Sequence, residues 1–480
     1  MSGPNIVLAF DFGASSGRAI KAVYKDGKLS YEEIHRFDNL PHEYEGHFCW
    51  DFEALMKEVH IGLQKAGNFD SVGFDTWGVD FGLLGEDGKL LSRPVHYRDG
   101  RTGGLIQEAE KKLPAEVLYA ETGVQIMGIN TFFQLLALKK QQPKVLEQAR
   151  RLLFMPDLFS VMLGGKPVCE RSIASTSQML DPRIGFWSGR IEEVYGISTE
   201  LFPPLVDSGT ITGTLPNGAK IIAVAGHDTQ CAVAAMPCVN EEEPAAFLSC
   251  GTWSLLGTEL LAPILSLESC RAGLSNEMGA NGRVNYLKNI TGLWLIQESR
   301  RQWRRQGKEY SYAQLEELAL EAPALRCFID PDAPEFTPAG DILERIQEFC
   351  SKTGQQVPET VGEVMRCIYQ SLAFKYRFAL QQLSQMTGKA FSVLHMLGGG
   401  AKDRLLCRLT ADCCGIPVVA GPIEATALGN IIIQLKALGA LESIQQGREL
   451  IARTEAVTRY EPQFDSSWDD TYEHFKKILI

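Results

Sequence analysis

The sequence predicts an α/β protein whose two domains share one plan. A length of 480 residues, of which 45% are hydrophobic, allows about two to four domains that each bury a core. A strand, a small-residue turn and a returning strand open the chain at residues 6–24, and the same order restarts at residues 245–258. This internal echo indicates two domains, which we place at residues 1–240 and 245–480.

Strands outnumber helices at the start of the chain. Buried runs and alternating apolar residues predict strands over 6–11, 19–24, 29–37, 71–75 and 81–85, and one helix over 51–67. Asp51 is placed to cap that helix. Three strands before the first helix are unlike a dinucleotide-binding unit, in which each strand is followed by its helix.

The remainder alternates helices and strands. Residues 100–215 are rich in helical patterns, and the polar, turn-rich stretch 237–244 is the predicted domain boundary. The other predicted elements are strands over 220–226, 245–249, 254–258, 393–397 and 417–420, and helices over 230–236, 361–385, 403–414 and 425–438.

Charge and hydropathy argue against several kinds of partner. The net charge of −12 opposes binding to nucleic acid or anionic lipid through a basic surface. No apolar run approaches the roughly 18–20 residues of a membrane-spanning helix, and the N-terminus lacks the features of a signal peptide. We therefore expect a soluble, cytoplasmic protein that is a monomer or a homodimer.

The 12 cysteines are scattered, and no two of them form a Cys-x-x-Cys pair. This pattern favours reduced thiols in the core over a disulfide framework or a zinc site. Cys350 and Cys367 bracket a polar loop, and whether they pair stays open.

Residues 11–18 form the first motif with chemical content. Asp11 ends a strand and precedes a Gly/Ser turn whose backbone amides and hydroxyls can bind phosphate. Asp11 can hold a hydrated Mg²⁺, and Arg18 can pair with phosphate or with a carboxylate. An ordinary glycine hairpin explains the same residues, so the motif alone leaves both interpretations open.

Asp228 follows a buried strand within the tetrapeptide 226–229. In that position it can accept a proton from an attacking hydroxyl as a general base. It can also simply cap the helix that follows, and the tetrapeptide by itself favours the cap.

Two glycine turns, at residues 250–252 and 398–400, follow buried strands in the second half of the chain. Glycines are kept where another group must approach closely, and that group is either a nucleotide or a packed helix. P-loop, dinucleotide-binding, zinc-protease and protein-kinase signatures are all absent from the sequence.

Two further segments carry residues suited to a sugar. Residues 75–80 and 97–99 combine an aromatic ring with donors and acceptors, which matches the apolar faces and hydroxyl rim of a sugar. Trp77 can equally be a core residue. Asn289 and Gln297 lie eight residues apart, so a helix would place them on similar faces.

The order of these motifs along residues 5–435 resembles the FGGY carbohydrate kinases. The resemblance rests on Asp-x-Gly-x-x-x-x-Arg, Asp-Thr-Trp-Gly-Val-Asp, Gly-His-Asp-Thr, Ser-x-Gly-Thr-Trp-Ser, Lys-Asn-x-x-Gly-Leu-Trp and Gly-Gly-Gly. Phe-Gly-Ala-Ser-Ser-Gly-Arg, Tyr-Arg-Asp-x-Arg-Thr and Ala-Gly-Pro-Ile-Glu-Ala-Thr are similar to the members that act on L-rhamnulose. The Phe-Gly-Gly-Tyr-type motif is absent, and the segment after residue 440, which carries no matching motif, is expected only to pack.

The resemblance implies two actin-like ATPase (ribonuclease H-like) domains with a deep interdomain cleft. It implies transfer of the γ-phosphate of ATP, with Mg²⁺, to the C1 hydroxyl of L-rhamnulose in L-rhamnose catabolism. The N-terminal domain would bind the sugar and the phosphates, and the C-terminal domain would bind the nucleotide. The cleft would close about a hinge at residues 237–244.

The resemblance also implies roles for individual residues. Asp228 would be the general base, would contact the sugar and, with Asp11, would hold the metal. The other sugar contacts would be Gly78, His227, Thr229 and Asn289. The phosphate and nucleotide contacts would be Ala14, Ser15, Ser16, Gly17, Arg18, Thr252, Gln297, Gly399 and Gly400.

Three alternatives remain beside this interpretation. They are a kinase for another deoxy-ketose such as L-fuculose, an actin-like or Hsp70-like ATPase that moves a partner, and a sugar sensor without catalysis. The ATPase would need a further domain of about 100 residues, for which the motifs leave no room. The sensor is disfavoured because Asp11 and Asp228 are both present.

Overall fold

Strands and helices are described for residues 3–240, 242–463 and 465–479 of the computed structural model. The strands are β1 Asn5–Phe12, β2 Ser16–Lys25, β3 Lys28–Asp38, β4 His42–Tyr44, β5 His47–Cys49, β6 Ser71–Thr76, β7 Phe81–Leu84, β8 Arg151–Phe154, β9 Cys169–Glu170, β10 Leu180–Asp181, β11 Phe186–Trp187, β12 Leu205–Val206, β13 Thr210–Thr214, β14 Lys220–Ala223, β15 Ala245–Cys250, β16 Trp253–Leu260, β17 Ser275–Met278, β18 Val284–Thr291, β19 Val393–Leu397, β20 Val418–Ala420 and β21 Thr458–Tyr460.

The α-helices are α1 Phe52–Ala66, α2 Leu105–Glu110, α3 Ala115–Thr122, α4 Thr131–Gln141, α5 Pro143–Gln148, α6 Met155–Met162, α7 Arg171–Ser175, α8 Gly189–Tyr195, α9 Asp228–Ala234, α10 Leu267–Arg271, α11 Trp294–Arg305, α12 Tyr312–Glu321, α13 Ile342–Lys352, α14 Val361–Thr387, α15 Arg404–Cys414, α16 Ala425–Ala437, α17 Ile444–Thr454 and α18 Ser467–Lys476. Within the described ranges, none of them combines the length and the apolar character that crossing a lipid bilayer requires.

The chain divides into two units, each built from three segments. Unit 1 contains the chain up to Val239, Glu259–Tyr286 and Ala425–Thr454. Unit 2 contains Asn240–Thr258, Leu287–Glu424 and the chain from Glu455 onward. The predicted sequence domains, 1–240 and 245–480, do not include the two returns of the chain to unit 1. Glu241, in the predicted hinge, lies outside the described residues, and the hinge and the cleft stay predictions.

Unit 1 is built on a six-stranded sheet with the order β13-β14-β6-β1-β2-β3. Strands β1, β6 and β14 run parallel, whereas β2 is antiparallel to β1, and β3 is antiparallel to β2. In the register of β1 and β6, Asp11 lies opposite Asp75. Thr76 forms an isolated parallel bridge with His227, just beyond β14. The carboxyl ends of three parallel strands therefore bring Asp11, Asp75 and the residue before Asp228 to one edge.

The second sheet has the order β17-β18-β16-β15-β19-β20-β21. In unit 2, β15 pairs antiparallel with β16 and parallel with β19, which in turn pairs parallel with β20. A hairpin beside parallel strands is also the arrangement of β2, β1 and β6, so the two-domain plan predicted from the internal echo is confirmed. The glycine turns at 250–252 and 398–400 follow the neighbouring strands β15 and β19.

Aromatic rings pack β1 and β6 against helix α6. The ring centroids of Phe12 and Phe159 lie 4.4 Å apart, and those of Phe10 and Phe74 lie 5.1 Å apart. Each such pair contributes about 0.5–1.5 kcal/mol beyond the area that it buries. This packing fixes the two strands that carry Asp11 and Asp75.

Helix α16 ties the C-terminal part of the chain to the sheet of unit 1. Ser71 Oγ donates to Gln434 Oε1 at 2.7 Å, and Gln434 Nε2 donates to the carbonyl of Leu8 at 3.0 Å. Asn430 Nδ2 donates to Asp75 Oδ2 at 2.7 Å. Because these contacts are buried, the hydrogen bonds hold α16 in one register on the strands.

The segment after residue 440 packs against both units. In unit 1, α17 contacts α16. In unit 2, the rings of Phe475 and Trp468 on α18 lie 5.3 and 5.2 Å from the ring of Phe374 on α14. The segment thus packs against the rest of the chain, as the sequence predicts.

Gly429 allows α16 to approach α9, because a side chain at this position would meet the backbone carbonyl of Cys231. We predict that Gly429→Ala lowers the free energy of unfolding by about 1–3 kcal/mol, since the two helices must separate. Urea denaturation measures the change. The control is Gly189→Ala in α8, where a side chain meets open space and stability should stay within about 0.5 kcal/mol of wild type. Equal stability of the two variants would contradict this account.

Candidate active site

Three carboxylates, those of Asp11, Asp75 and Asp228, gather at the edge of the unit 1 sheet. Asp11 and Asp75 lie near the ends of neighbouring parallel strands, and Asp228 is the first residue of α9. Asp11 and Asp75 are buried, whereas 31% of the Asp228 side chain is exposed. Burial, and next the charge of Asp11, raise the pKa of Asp75 well above its ordinary value.

Arg18 pairs with the first of these carboxylates. Its Nε and Nη2 atoms donate to Asp11 Oδ2 at 3.0 and 2.7 Å, across the antiparallel register of β1 and β2. The structure thus shows one of the two partners that the sequence allows for Arg18. One guanidinium offsets one of three carboxylates, so the cluster retains an excess of negative charge when ionised.

One oxygen of this cluster makes it a candidate for binding a divalent cation. Asp75 Oδ2 accepts a hydrogen bond from Asn430, but Oδ1 of the same carboxyl is buried and has no hydrogen-bond partner among the described residues. Such an oxygen is costly to bury, and Mg²⁺ takes carboxylate oxygens as ligands. Asp11 and Asp228 carry the metal prediction from the sequence, and Asp75 is a further candidate that the sequence does not single out for this role.

The turn between β1 and β2 leaves part of its backbone accessible. Gly13 N–H donates to the carbonyl of Ser16 at 2.9 Å, and Asn39 Nδ2 donates to the carbonyl of Gly13 at 2.8 Å. Ser15 is exposed, and Ala14 and Ser16 are half-buried. A fixed, accessible turn of this kind can present amides and hydroxyls to a phosphate.

Gly17 differs from the three residues before it. It is buried, and a side chain at this position would overlap the ring of Phe37. Packing therefore accounts for the glycine, while its predicted phosphate contact stays a prediction.

Asp228 does not cap helix α9. His227 occupies the N-cap position, and the backbone N–H of Thr229 donates to Asp228 Oδ1 at 2.6 Å. The expectation that Asp228 is the cap is wrong because the helix begins at residue 228 itself. Burial raises the pKa of Asp228 to about 6, against the opposing charge of His227. A carboxylate with this pKa is ionised at neutral pH and still basic enough to accept a proton.

A buried chain of hydrogen-bonding groups orients Asp228. His227 Nδ1 lies 2.8 Å from Glu277 Oε2, and His227 Nε2 lies 3.4 Å from Asp228 Oδ1. Gln230 Nε2 donates to the same Glu277 oxygen at 2.7 Å. Burial opposes a charge on His227, but Glu277 and Asp228 outweigh it and raise the pKa of the imidazole. The ring is thereby held between two carboxylates.

Glu170 fixes the turn that leads into α9. Its Oε2 atom accepts hydrogen bonds at 2.9 Å from the backbone N–H groups of Gly226 and Ser172. Sequence reasoning missed both Glu170 and Glu277, which lie 56 residues from Gly226 and 50 residues from His227. Neither stands in a distinctive local pattern, so only the folded chain reveals their partners.

The tryptophan of the predicted sugar segment belongs to the core. Trp77 is 5% exposed, and its Nε1 donates to Asp80 Oδ2 at 2.9 Å. Trp50 Nε1 donates to the same oxygen at 2.7 Å, and Gln134 Nε2 donates to the other oxygen at 3.0 Å. Asp80 therefore organises this segment from within, and the core alternative for Trp77 is confirmed.

Gly78, a predicted sugar contact, precedes a strained residue. Val79 has a φ of 66°, a left-handed conformation that is unusual for a β-branched residue. It is held there by Thr176 Oγ1, which accepts from its N–H, and by Thr131 Oγ1, which donates to its carbonyl. Such strain clusters at ligand sites, and Gly78 is only half-buried.

In unit 2, the structure brings together two predicted nucleotide contacts. Thr252 Oγ1 donates to Gln297 Oε1 at 3.3 Å. The backbone N–H groups of Leu293 and Trp294 donate to the carbonyls of Gly251 and Thr252 at 2.9 and 3.2 Å. The start of α11 is thereby attached to the β15–β16 turn.

The three glycines of residues 398–400 have different reasons to be glycine. Gly398 has a φ of 81°, and a side chain at Gly400 would overlap Cys250. Gly399 is exposed, and a side chain there would meet nothing within 4 Å. Conformation and packing explain the outer two, whereas neither explains Gly399, and its nucleotide contact stays a prediction.

Asn289 and Gln297 do not share a helix. Asn289 lies in β18 and Gln297 in α11, so the expectation that one helix aligns them is wrong. Sheet pairing extends β18 through Thr291, and the helix begins only after Gly292. The other predicted sugar contacts belong to unit 1: Gly78, His227 and Thr229.

Both halves of the chain match models of one protein family. The N-terminal domain of the FGGY family of carbohydrate kinases matches residues 6–236, and its C-terminal domain matches residues 246–438. The rhamnulokinase of Bacteroides thetaiotaomicron is 40% identical over 485 residues, covering 98% of this chain and 99% of that protein. The rhamnulokinase of Enterococcus faecalis is 40% identical over 488 residues, with 98% and 97% covered.

Solved structures of sugar kinases share the fold. The gluconate kinase from Lactobacillus acidophilus superimposes with a TM-score of 0.77 at 16% identity, covering 99% of this chain and 96% of that one. A ligand-bound xylulose kinase from the same organism gives a TM-score of 0.77 at 18% identity, with the same coverage. The chain therefore belongs to the FGGY family of carbohydrate kinases and uses ATP to phosphorylate a sugar.

Proposed function

We propose that the chain transfers the γ-phosphate of ATP to the C1 hydroxyl of L-rhamnulose, yielding L-rhamnulose 1-phosphate and ADP. Similarity to rhamnulokinases along nearly the whole chain supports this substrate and a role in L-rhamnose catabolism. The structural observation that carries the chemistry is the chain Glu277–His227–Asp228, which ends at an oriented base beside two more carboxylates. The twelve cysteines are free of disulfide bonds and ten of them are buried, which suits a reducing cytoplasm, where we place the enzyme.

Asp228 is the proposed general base. As the C1 oxygen attacks the γ-phosphorus, its proton passes to the Asp228 carboxylate, and the bond from the γ-phosphorus to the departing ADP oxygen breaks. His227 holds the carboxylate through Nε2, and Glu277 holds the ring through Nδ1. Such positioning is the main task of a phosphoryl-transfer enzyme, because little covalent work is required.

Mg²⁺ would neutralise charge on the phosphates when bound. Asp11 and Asp228 are the proposed ligands, and the unpaired oxygen of Asp75 favours adding that residue to the set. Arg18, and the backbone of residues 14–17, would contact phosphate.

The nucleotide would contact unit 2 through the residues that the sequence suggests. Thr252 and Gln297 are already in contact with each other, which supports a shared role. Gly399 would let the ligand approach the backbone, and Gly400 would contribute its backbone atoms only. Asn289, half-buried in β18, is the proposed sugar contact from this unit.

A panel of ketoses tests the substrate. We expect ATP turnover with L-rhamnulose to exceed that with L-fuculose, D-xylulose and L-ribulose by at least about tenfold in kcat/KM, since an inverted hydroxyl leaves polar groups unpaired and a five-carbon sugar leaves an apolar contact unfilled. A coupled assay of ADP release measures this. A preference for L-fuculose would make that sugar the proposed substrate in place of L-rhamnulose. Sugar-independent hydrolysis of ATP would favour an ATPase, and sugar binding without turnover would favour a sensor.

Replacing Asp228 tests the base. Asp228→Asn keeps the size of the side chain but cannot accept the proton, so we expect kcat to fall by about 10²–10⁴ while sugar binding persists. Steady-state kinetics and calorimetry separate the two effects. Asp26→Asn, in the exposed turn between β2 and β3, is the control and should retain wild-type turnover. Turnover of Asp228→Asn close to wild type would eliminate this residue as the base.

The pH profile tests whether Glu277 and His227 control the protonation of Asp228. Asp228 must be ionised, so kcat/KM should be constant above its pKa of about 6 and fall about tenfold per unit below it. The charge of Glu277 favours the cation of His227, and that cation lowers the pKa of Asp228. Glu277→Gln removes the charge, so the pKa of Asp228 should rise. The acid limb of the variant should therefore move to higher pH by about one unit.

Measurements at saturating Mg²⁺ from pH 5 to 8 give both profiles. Glu268→Gln, exposed on α10 in the same unit, is the matched control and should leave the limb unmoved. A purely structural role of Glu277 would lower activity equally at all pH values, and this result would refute the positioning role.

A further inference from the structure

Three cysteines that are far apart in the sequence come together in unit 2. Cys327 lies in the segment after α12, Cys350 lies in α13 and Cys367 lies in α14. All three side chains are buried free thiols, and their sulfur atoms lie within 4.8 Å of one another. The proposed phosphoryl transfer uses none of them.

We propose that Cys327, Cys350 and Cys367 bind a thiophilic d¹⁰ cation, Zn²⁺ or Cu⁺, through three thiolates. Zinc–sulfur bonds of about 2.3 Å place the sulfur atoms of a three-thiolate site about 4 Å apart. Small side-chain shifts reach this spacing from the arrangement observed. Soft thiolate ligands favour these cations over Mg²⁺, so the site would not compete for the metal of the kinase reaction.

A small cavity beside the sulfur atoms offers a place for a fourth ligand. Its volume is about 10 Å³, enough for one water molecule, and Cys327 and Cys367 line it. Gln370 lines the same cavity, is 1% exposed, and has no hydrogen-bond partner for Nε2 among the described residues. A water bound to zinc would accept that hydrogen bond and complete a four-coordinate site.

Nearby charged side chains favour an anionic site made of one cation and three thiolates. Three thiolates leave a net charge of −1 with Zn²⁺ and −2 with Cu⁺. Arg326 and Arg366 line the cavity together with one acid, Glu363. The Nε atom of Arg366 is buried without a hydrogen-bond partner among the described residues. The excess of one positive charge offsets part of the cost of burying the cluster.

Hydrogen bonds within the protein hold the segment that carries Cys327. Gln355 accepts from the N–H of Phe328 at 2.8 Å and donates to the carbonyl of Phe328 at 2.9 Å. Ile329 N–H donates to Ser371 Oγ at 2.9 Å. Because these contacts fix the backbone beside Cys327, the cation would bind a preformed site at a low cost in chain ordering.

Metal titration of the full-length protein tests the proposal. The protein is reduced with a phosphine, freed of metal with a chelator, and titrated with Zn²⁺ or Cu⁺ against a competing indicator. We expect one ion per chain and a rise in the thermal midpoint, because the ion binds the folded state. Binding should weaken as the pH falls, since the thiols release protons to the solvent. Co²⁺ should give the charge-transfer absorption of thiolate ligands.

Cysteine variants locate the site. Cys327→Ser, Cys350→Ser and Cys367→Ser should each lower the affinity at least about 100-fold, and Cys270→Ser, outside the cluster, should not change it. If a variant fails to fold, the alkylation rates of the three cysteines in the wild-type chain decide instead. These rates are compared with and without Zn²⁺, and bound Zn²⁺ should lower them. No uptake by the reduced protein, uptake that survives the three substitutions, or unprotected thiols would each overturn the proposal.

Discussion

Parallel pairing of β1, β6 and β14 is the constraint on which the candidate site depends. It sets Asp11 opposite Asp75. It also pairs Thr76, at the end of β6, with His227, the residue before Asp228 and α9. Concentrating three carboxylates at a partly buried edge is unfavourable, and Arg18 offsets only one of them. A bound cation would offset that penalty, which is the physical reason for proposing a binding site at this edge.

The surroundings of Asp228 show how a protein supports such an arrangement. Glu277, His227 and Gln230 form a connected set of buried polar groups. Glu170 accepts hydrogen bonds at 2.9 Å from the backbone N–H of Gly226, in the turn before α9, and from that of Ser172 in α7. Connected, satisfied groups of this kind hold side chains in one arrangement. The left-handed backbone of Val79 is a second example, since rigid neighbours hold it in a strained conformation.

Sequence reasoning succeeded where local chemistry decides the outcome. Strand β19 has the predicted bounds, and Asp51 caps α1 by accepting from the N–H of Ala54. It failed where a boundary shifts by one residue, as at Asp228, or where sheet pairing overrides a helical spacing, as at Asn289. It also had no access to partners such as Glu277, because a single glutamate in a strand carries no signal of the histidine that it will meet.

The sequence by itself determined the repeated α/β plan and the order of the motifs, because strand patterns and turn chemistry are local. Through its family resemblance it also named Asp11, Asp228, Thr252 and Gln297 as site candidates. Only the tertiary structure decided which of them meet: Asp75 joins the carboxylates through strand register, and Thr252 meets Gln297 across 45 residues. It likewise gathered three cysteines whose spacing had argued against a metal site. Contacts between distant segments depend on packing, and no local pattern encodes them.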